Sequence, residues 1–258
     1  MRYYCGIDMG SQSAKSCIIN TNKEIISMSL VPAGANATEV GDRVFQAALD
    51  DSRLSKGDIT SIVSTGYGRN RIVMSSSRYT EIKCHAKGVE LLLPGTRTLI
   101  DIGGQDSKIL KIKNGMVENF IMNDKCAAGT GRFLEVMSNV MDCDLSEMGQ
   151  RALKSKGLLT ISNICTIFAE SEVISLVGQG KEVNDILWAI VESVAIRTVG
   201  LARRLGVIEP VAMSGGVAEN QGVVEALKKN LKVDIKTSPY SRWAGAIGAA
   251  LLAMEEEE

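Results

Sequence analysis

Tyr3-Tyr4-Cys5-Gly6-Ile7-Asp8-Met9-Gly10-Ser11-Gln12-Ser13-Ala14-Lys15 is the stretch that decides the fold. An apolar run delivers a carboxylate to a glycine turn, and the residues beyond the turn alternate again like a strand. Gly10 lets backbone N–H groups approach an anion, and Asp8 stands where it can hold Mg2+ through water, because Mg2+ usually keeps several of its waters. Ser11, Gln12 and Ser13 complete the turn, and Lys15 follows it. Taken alone, the motif reads more simply as an ordinary hairpin with a capping aspartate.

The same design returns at Thr98-Leu99-Ile100-Asp101-Ile102-Gly103-Gly104-Gln105-Asp106-Ser107-Lys108. A shift of 93 residues superposes Asp8 on Asp101, Gly10 on Gly103, Gln12 on Gln105 and Lys15 on Lys108. Two symmetric aspartate-glycine hairpins suit a polyphosphate clamped from both sides. Gly10 with Lys15-Ser16 also meets half of a P-loop pattern. Ala14 stands where that loop needs glycine, however, and no helix opens behind it.

Outward from the first hairpin, strands are expected over 3–8, 16–20 and 24–30, then a helical stripe at Val40, Val44, Ala47 and Ala48. A β-rich run over 59–65 ends in the glycine turn TGYGRN. After the second hairpin, a Lys113-Asn114-Gly115 turn leads to the strand-like MVENFIM. The rest is mainly helical, its clearest stripe being Val183, Leu187, Ile190, Val191, Val194, Thr198, Leu201 and Leu205, closed by Gly206. Then come a strand over 211–214, a helix to about Leu231, a strand over 233–236, and the small-residue helix AGAIGAALLAM. The final glutamates read as a solvated fray.

The 258 residues are 45% hydrophobic and carry 29 Lys and Arg against 30 Asp and Glu, a net charge of −1. No basic run exceeds two residues, so the electrostatic footprint of a nucleic-acid binder is missing. No apolar run approaches the length of a membrane span, and the first residues lack a signal-peptide pattern, so a cytoplasmic protein is expected. Six cysteines without such a leader argue against a disulfide framework. No C-x-x-C occurs, so any metal cluster must draw cysteines from afar or from another chain.

A third glycine turn, Ser214-Gly215-Gly216-Val217-Ala218-Glu219-Asn220, follows a strand and permits close approach of a base or ribose, although a plain β-to-α turn explains it equally well. In order and spacing the three motifs resemble the phosphate-1, phosphate-2 and adenosine motifs of the actin, hexokinase and heat-shock ATPase superfamily. With them, NDKCAAGTGRF, CTIFAESEVIS, TGYGRN and SGGVAEN resemble the ATP-dependent activators of 2-hydroxyacyl-CoA dehydratases, relatives of the ATPase subunits of benzoyl-CoA reductases. The resemblance covers essentially the whole chain.

It implies an α/β, two-lobed actin-like ATPase of ribonuclease H-like duplicated domains with a nucleotide cleft. Residues 1–96 form the first lobe and 97–258 the second, which carries the cluster-binding helices; the last helix is able to pack back on the first lobe. It implies ATP or ADP with Mg2+, held by Asp8 and Asp101 and by Gly10, Ser11, Gln12, Ser13, Lys15, Gly103, Gly104, Gly215, Gly216, Val217 and Asn220. Heat-shock ATPases and many sugar kinases carry a Gly-Gly-Gly-Thr-like second loop. Gln105 stands in that loop here and is a candidate to orient the attacking water.

Cys126 and Cys165 match the positions at which each subunit of the family supplies two thiolates to one oxygen-sensitive 4Fe-4S cluster at a homodimer interface. Thr130 and Cys165 then head helices whose N-termini favour an anionic cluster. The implied activity is ATP-driven one-electron donation: a reduced ferredoxin or flavodoxin loads the chain, and the dehydratase receives the electron. The alternatives are an activator of a benzoyl-CoA reductase or another double-cubane-cluster reductase, a small-molecule kinase, and a filament-forming ATPase. Cys5, Cys17 and Cys143 read as ordinary thiols, and Cys84-His85 has no assigned role.

Overall fold

The computed structural model describes residues 2–157, 159–162 and 165–257. The chain divides into two compact units, one of Met1–Thr96, Ile112–Glu118 and Tyr240–Glu258, the other of Arg97–Lys111 and Asn119–Pro239. In the first sheet, β1 (Tyr3–Met9), β2 (Ser13–Asn20), β3 (Ile25–Pro32), β4 (Ile59–Thr65) and β5 (Ser77–Arg78) lie in the order β3-β2-β1-β4-β5. In the second, β6 (Thr98–Ile102), β7 (Ser107–Lys113), β8 (Met116–Asn123), β9 (Val211–Ser214) and β10 (Ile235–Lys236) lie in the order β10-β9-β6-β7-β8. Strand for strand the two orders are the same. β1 runs antiparallel to β2 and parallel to β4, as β6 does to β7 and β9. Even the register repeats, with Asp8 opposite Lys15 and Asp101 opposite Lys108.

Strand parity sorts the side chains of β1. Cys5, Ile7 and Met9 share a core with Val40, Val44, Phe45 and Ala48 of α1 (Ala37–Ser52). That helix starts where Asn36 Oδ1 accepts the Glu39 N–H and ends at Arg53, in the left-handed region with φ 57°. Tyr4, Gly6 and Asp8 have the opposite parity. On their side Tyr4 packs with α8 (Ala244–Glu255) and with Cys84 of α2 (Glu81–Leu92). α8 is apolar all round because it is buried all round. Glu255 and Glu256, expected to fray, are held by side chains: Lys87 reaches Glu255 at 2.7 Å, and the Tyr79 hydroxyl donates to Glu256 at 2.7 Å.

α8 approaches its neighbours backbone to backbone. A Cβ on Gly248 would overlap the Cys84 carbonyl oxygen and stand 2.9 Å from the Gly88 nitrogen. Gly248→Ala is therefore expected to destabilise the fold by about 3 kcal/mol or more, at the upper end of overpacking costs. Gly200→Ala is the matched control. That glycine is exposed on a helix with nothing within 4 Å of its absent Cβ, and the substitution is expected to stabilise by about 0.5–1 kcal/mol. Urea denaturation of the two variants reads both signs.

The second unit packs α3 (Gly131–Val140), α4 (Leu145–Ala152), α5 (Thr166–Gly178), α6 (Val183–Leu205) and α7 (Gln221–Leu231) around one core. Phe133, Leu134, Met137, Leu187, Ile190 and Val194 meet Ile100, Ile102, Val211 and Met213 of the sheet there. α6 has the bounds its stripe predicts, and Gly206 closes it with φ 86°. The strand expected over 233–236 shortens to Ile235–Lys236, because Lys232 spends its left-handed φ of 60° ending α7.

Candidate functional site

Asp8 is the penultimate residue of β1, next to the Gly10-Ser11-Gln12 turn, which re-enters β2 instead of a helix; this excludes the P-loop arrangement. Asp8 is buried, and Lys15 Nζ stands 4.0 Å from its Oδ2. Its Oδ1 is buried with no hydrogen-bond partner. A buried carboxylate oxygen left without a partner costs free energy, which a hydrated cation or a donor on a ligand would recover. This oxygen, together with the open turn at Gly10, fits Mg2+ and phosphate.

Asp101 takes the same place in the second sheet but is satisfied from within. Ser214 Oγ donates to its Oδ1 at 2.7 Å, and Lys108 Nζ lies 3.4 Å from its Oδ2 and 2.8 Å from Asp106 Oδ1. All four residues are buried. Gly103 and Gly104 are half-buried in the turn, and Gln105 is exposed at its tip.

The symmetry extends to Gly66, which the motif reading did not include. Gly66 after β4 and Gly215 after β9 hold φ of 85° and 83°. A Cβ on Gly66 would stand 2.6 Å from Asp8 Oδ1, and one on Gly215 would stand 2.9 Å from Asp101 Oδ1. Each aspartate is thus bordered by a left-handed glycine at the end of its parallel neighbour strand. The turns TGYGRN and SGGVAEN are counterparts, which the pairs Asp8 with Thr65 and Asp101 with Ser214 make explicit. The hydroxyls differ: Ser214 serves Asp101, whereas Thr65 Oγ1 turns away to the Tyr79 carbonyl. Gly245 and His85 complete the surroundings of Asp8, since a Cβ on Gly245 would stand 2.8 Å from both Asp8 Oδ2 and His85 Nε2. Cys84 beside it is a buried thiol, pushed up to about 12 chiefly by desolvation, and so stays protonated.

In the third motif, Gly216 and Val217 lie in a short 3-10 turn, and the Asn220 side chain caps α7 by accepting the Val223 N–H at 3.1 Å. Asn220 Nδ2 is buried without a partner. Val217 is buried in the core of the unit, so its side chain packs rather than faces a ligand.

Cys126 and Cys165 are both half-buried free thiols of the second unit. Cys126 opens a loop whose carbonyl accepts from Asn123 Nδ2 at 3.1 Å and whose sulfur accepts from Arg197 Nη1 at 3.6 Å. Cys165 occupies the N-cap of α5, and no side chain caps that helix. A cation stands at one thiol and a helix N-terminus at the other, and this donor set fits an anionic metal-sulfur cluster.

One expectation here is corrected. Thr130 sits at the N-cap of α3, but its hydroxyl donates to the Ala127 carbonyl at 2.7 Å and caps nothing. The first N–H groups of α3 point at the phosphate-2 turn instead of at Cys126, Gly131 donating to Gly103 O at 2.8 Å and Arg132 to Gly104 O at 2.9 Å. On α5 the apolar residues face outward, Ile167 being 71% and Phe168 67% exposed, while Ala169 and Val173 enter the core. Among the described residues, no helix is long and apolar enough to cross a membrane.

The profile of the BadF/BadG/BcrA/BcrD ATPase family matches residues 5–253. The (R)-2-hydroxyglutaryl-CoA dehydratase activating ATPase of Acidaminococcus fermentans is 45% identical over 255 residues, covering 98% of each chain. The structure of the activator of 2-hydroxyisocaproyl-CoA dehydratase from Clostridium difficile, with bound ADPNP, superposes with a TM-score of 0.95 at 42% identity over 98% of this chain and 95% of that one. A ROK family glucokinase from Streptomyces griseus reaches a TM-score of 0.59 at 16% identity, over 98% of this chain and 99% of that one, which shows the fold alone. The fold is the two-lobed α/β fold of actin-like ATPases.

Proposed function

Because the chain belongs to the BadF/BadG/BcrA/BcrD ATPase family, we propose that it hydrolyses ATP to drive one-electron donation to a 2-hydroxyacyl-CoA dehydratase. Cys126 and Cys165 from each of two chains would hold one 4Fe-4S cluster, which supplies a low-potential electron carrier. The outward apolar residues at the start of α5, next to Cys165, support a second copy of the chain as what covers them. A reduced ferredoxin or flavodoxin is the donor in this reading.

The observation that carries the proposal is the wiring of the phosphate-2 turn. The carbonyls of Gly103 and Gly104 accept the first two N–H groups of α3, and Ser107 Oγ donates to Gly129 O at 3.2 Å. The loop that begins at Cys126 is therefore hydrogen-bonded at its far end to the turn expected to hold a phosphate. Asp8 and Asp101 would hold Mg2+ through water. Gln105, exposed at the tip of the turn, would orient the attacking water. Loss of the terminal phosphate would free the Gly103–Gly104 turn to shift, carrying Gly131 and the Cys126 loop with it. A kinase acting on a metabolite would have no use for this connection to a thiol.

The test is anaerobic. The reduced protein is mixed with its dehydratase, and oxidation is followed with ATP, with a non-hydrolysable analogue and without nucleotide. Transfer is expected with ATP and at least tenfold slower without nucleotide. Equal transfer in all three arms would show that hydrolysis and electron donation are uncoupled.

A further inference from the structure

We propose that Arg197 is the positioning residue of Cys126: it fixes the thiol against α6 and biases the metal centre on that sulfur toward its reduced state. The proposal rests on the reading of Cys126 as a cluster ligand. Two observations from opposite ends of one loop meet on this side chain.

The first is steric. Gly129 holds φ +97°, and a Cβ there would stand 2.7 Å from Arg197 Cδ, 3.2 Å from Cγ and 3.5 Å from Cβ. The stem of Arg197 thus fills the slot that the glycine leaves open. A side chain at position 129 would be strained by its backbone and would also push the arginine aside. The glycine of NDKCAAGTGRF therefore serves Arg197, not the general roominess that small residues suggest.

The second is electrostatic. With its stem under Gly129, Arg197 places Nη1 3.6 Å from Cys126 Sγ. Arg197 itself is half-buried on α6, between Val194, Ala195 and Thr198, which enter the core. The thiol is therefore referenced to a helix of 23 residues that core packing immobilises. The same loop is tied at Gly129 O to Ser107 of the phosphate-2 hairpin. Nucleotide-dependent motion of that hairpin would move Gly129 along the arginine stem and change how the guanidinium meets the sulfur.

The chemistry follows from what a guanidinium is. It stays charged at any working pH and donates N–H bonds with no acceptor of its own. Placed on a ligating sulfur, it withdraws charge from the thiolate and so favours the form of the centre carrying one more electron. A side chain of the same length without the charge would fill the slot equally well and lose this bias. Packing and tuning are thereby separable.

The experiment uses the full-length chain reconstituted anaerobically. Iron content and the reduction potential by spectroscopic titration are read for wild type, Arg197→Met, Arg197→Gln and Arg197→Lys, with Cys126→Ser as the ligand control. The Met variant is expected to keep its iron while the equilibrium constant for its reduction falls at least tenfold, which is about 59 mV for one electron. Lys is expected to recover most of that shift. Gln replaces Met in the comparison if the Met variant fails to fold. Iron in the wild type with an unmoved potential in the uncharged variant would overturn the role of Arg197 alone. No iron in the wild type, or full iron in Cys126→Ser, would overturn the ligand reading and the present proposal with it.

Discussion

Asp8→Asn and Asp101→Asn are each expected to lower kcat for ATP hydrolysis by about 10²-fold or more, with opposite effects on stability. The loss of rate follows from the site: a carboxylate that positions a cation and water contributes mainly in the transition state, so its removal lowers kcat more than it raises KM. The stability signs follow from the hydrogen bonds. Asp8 Oδ1 is buried with no partner, and Lys15 Nζ stands 4.0 Å from the other oxygen of the carboxylate. Removing that charge relieves a desolvation cost, so Asp8→Asn is expected to melt at or above the wild-type temperature. Functional sites commonly store destabilisation of this kind. Asp101, by contrast, accepts from Ser214 and lies 3.4 Å from buried Lys108. Its neutralisation weakens a buried network, although Asp106 at 2.8 Å keeps Lys108 paired. Asp101→Asn is therefore expected to unfold at lower temperature while still folding. ATPase rates paired with thermal melts decide the matter. Wild-type rates in both variants would remove the two aspartates from the mechanism, and matching stability shifts would refute the asymmetry between the hairpins.

That asymmetry was outside the reach of sequence reading, and the reason is instructive. The duplication itself is local: each hairpin is a short alternating segment with a glycine turn, so the superposition of Asp8 on Asp101 and of Lys15 on Lys108 is visible in one dimension and returns as identical register in the sheets. Gly66, His85 and Gly245 reach Asp8 from the end of β4, from α2 and from α8, and nothing local marks them as neighbours. The turn TGYGRN did carry a signal. It is a strand ending in a hydroxyl residue and glycine, as SGGVAEN is, and pairing the two turns would have pointed to Gly66.

The helices divide in the same way. α6 was legible because its buried face is made of large apolar residues at helical spacing and its stop is a glycine. α2 was not, because its buried face is Cys84, His85, Ala86 and Gly88 with one larger apolar residue, Val89, too little to read as an apolar stripe. Its stability comes from close backbone approach to α8, which a hydrophobic pattern does not register. α5 shows the opposite case: Ile167, Phe168, Ile174 and Val177 are large apolar residues, yet all four are exposed in this chain. The contact of Arg197 with Cys126 joins residues far apart in sequence, and only the packing of the Gly129 loop on α6 brings them together.

Cys126→Ser is expected to abolish iron binding, whereas Cys143→Ser leaves it intact. Both thiols are half-buried in the second unit, so exposure does not distinguish them. Their surroundings do. Cys126 Sγ accepts from Arg197 and opens a loop tied to the phosphate-2 hairpin, while Cys143 Sγ donates to the carbonyl of its chain neighbour Asp144 at 3.4 Å. Serine matches cysteine in shape, but its hydroxyl is a poor donor to iron, so the substitution tests ligation more than packing. If two chains share one cluster around a two-fold axis, each Cys126→Ser chain removes one thiolate and the dimer loses two of four at once. Anaerobically reconstituted wild type is expected to carry about four irons per two chains, and Cys126→Ser less than about one. Cys165→Ser should behave as Cys126→Ser does, since the axis doubles that loss too and again removes two of four thiolates. Iron analysis on the fractions of an anaerobic sizing column reads content and assembly together. Four irons eluting with a single chain would refute the shared cluster, and full iron in Cys126→Ser would show that the thiol facing Arg197 is not a ligand.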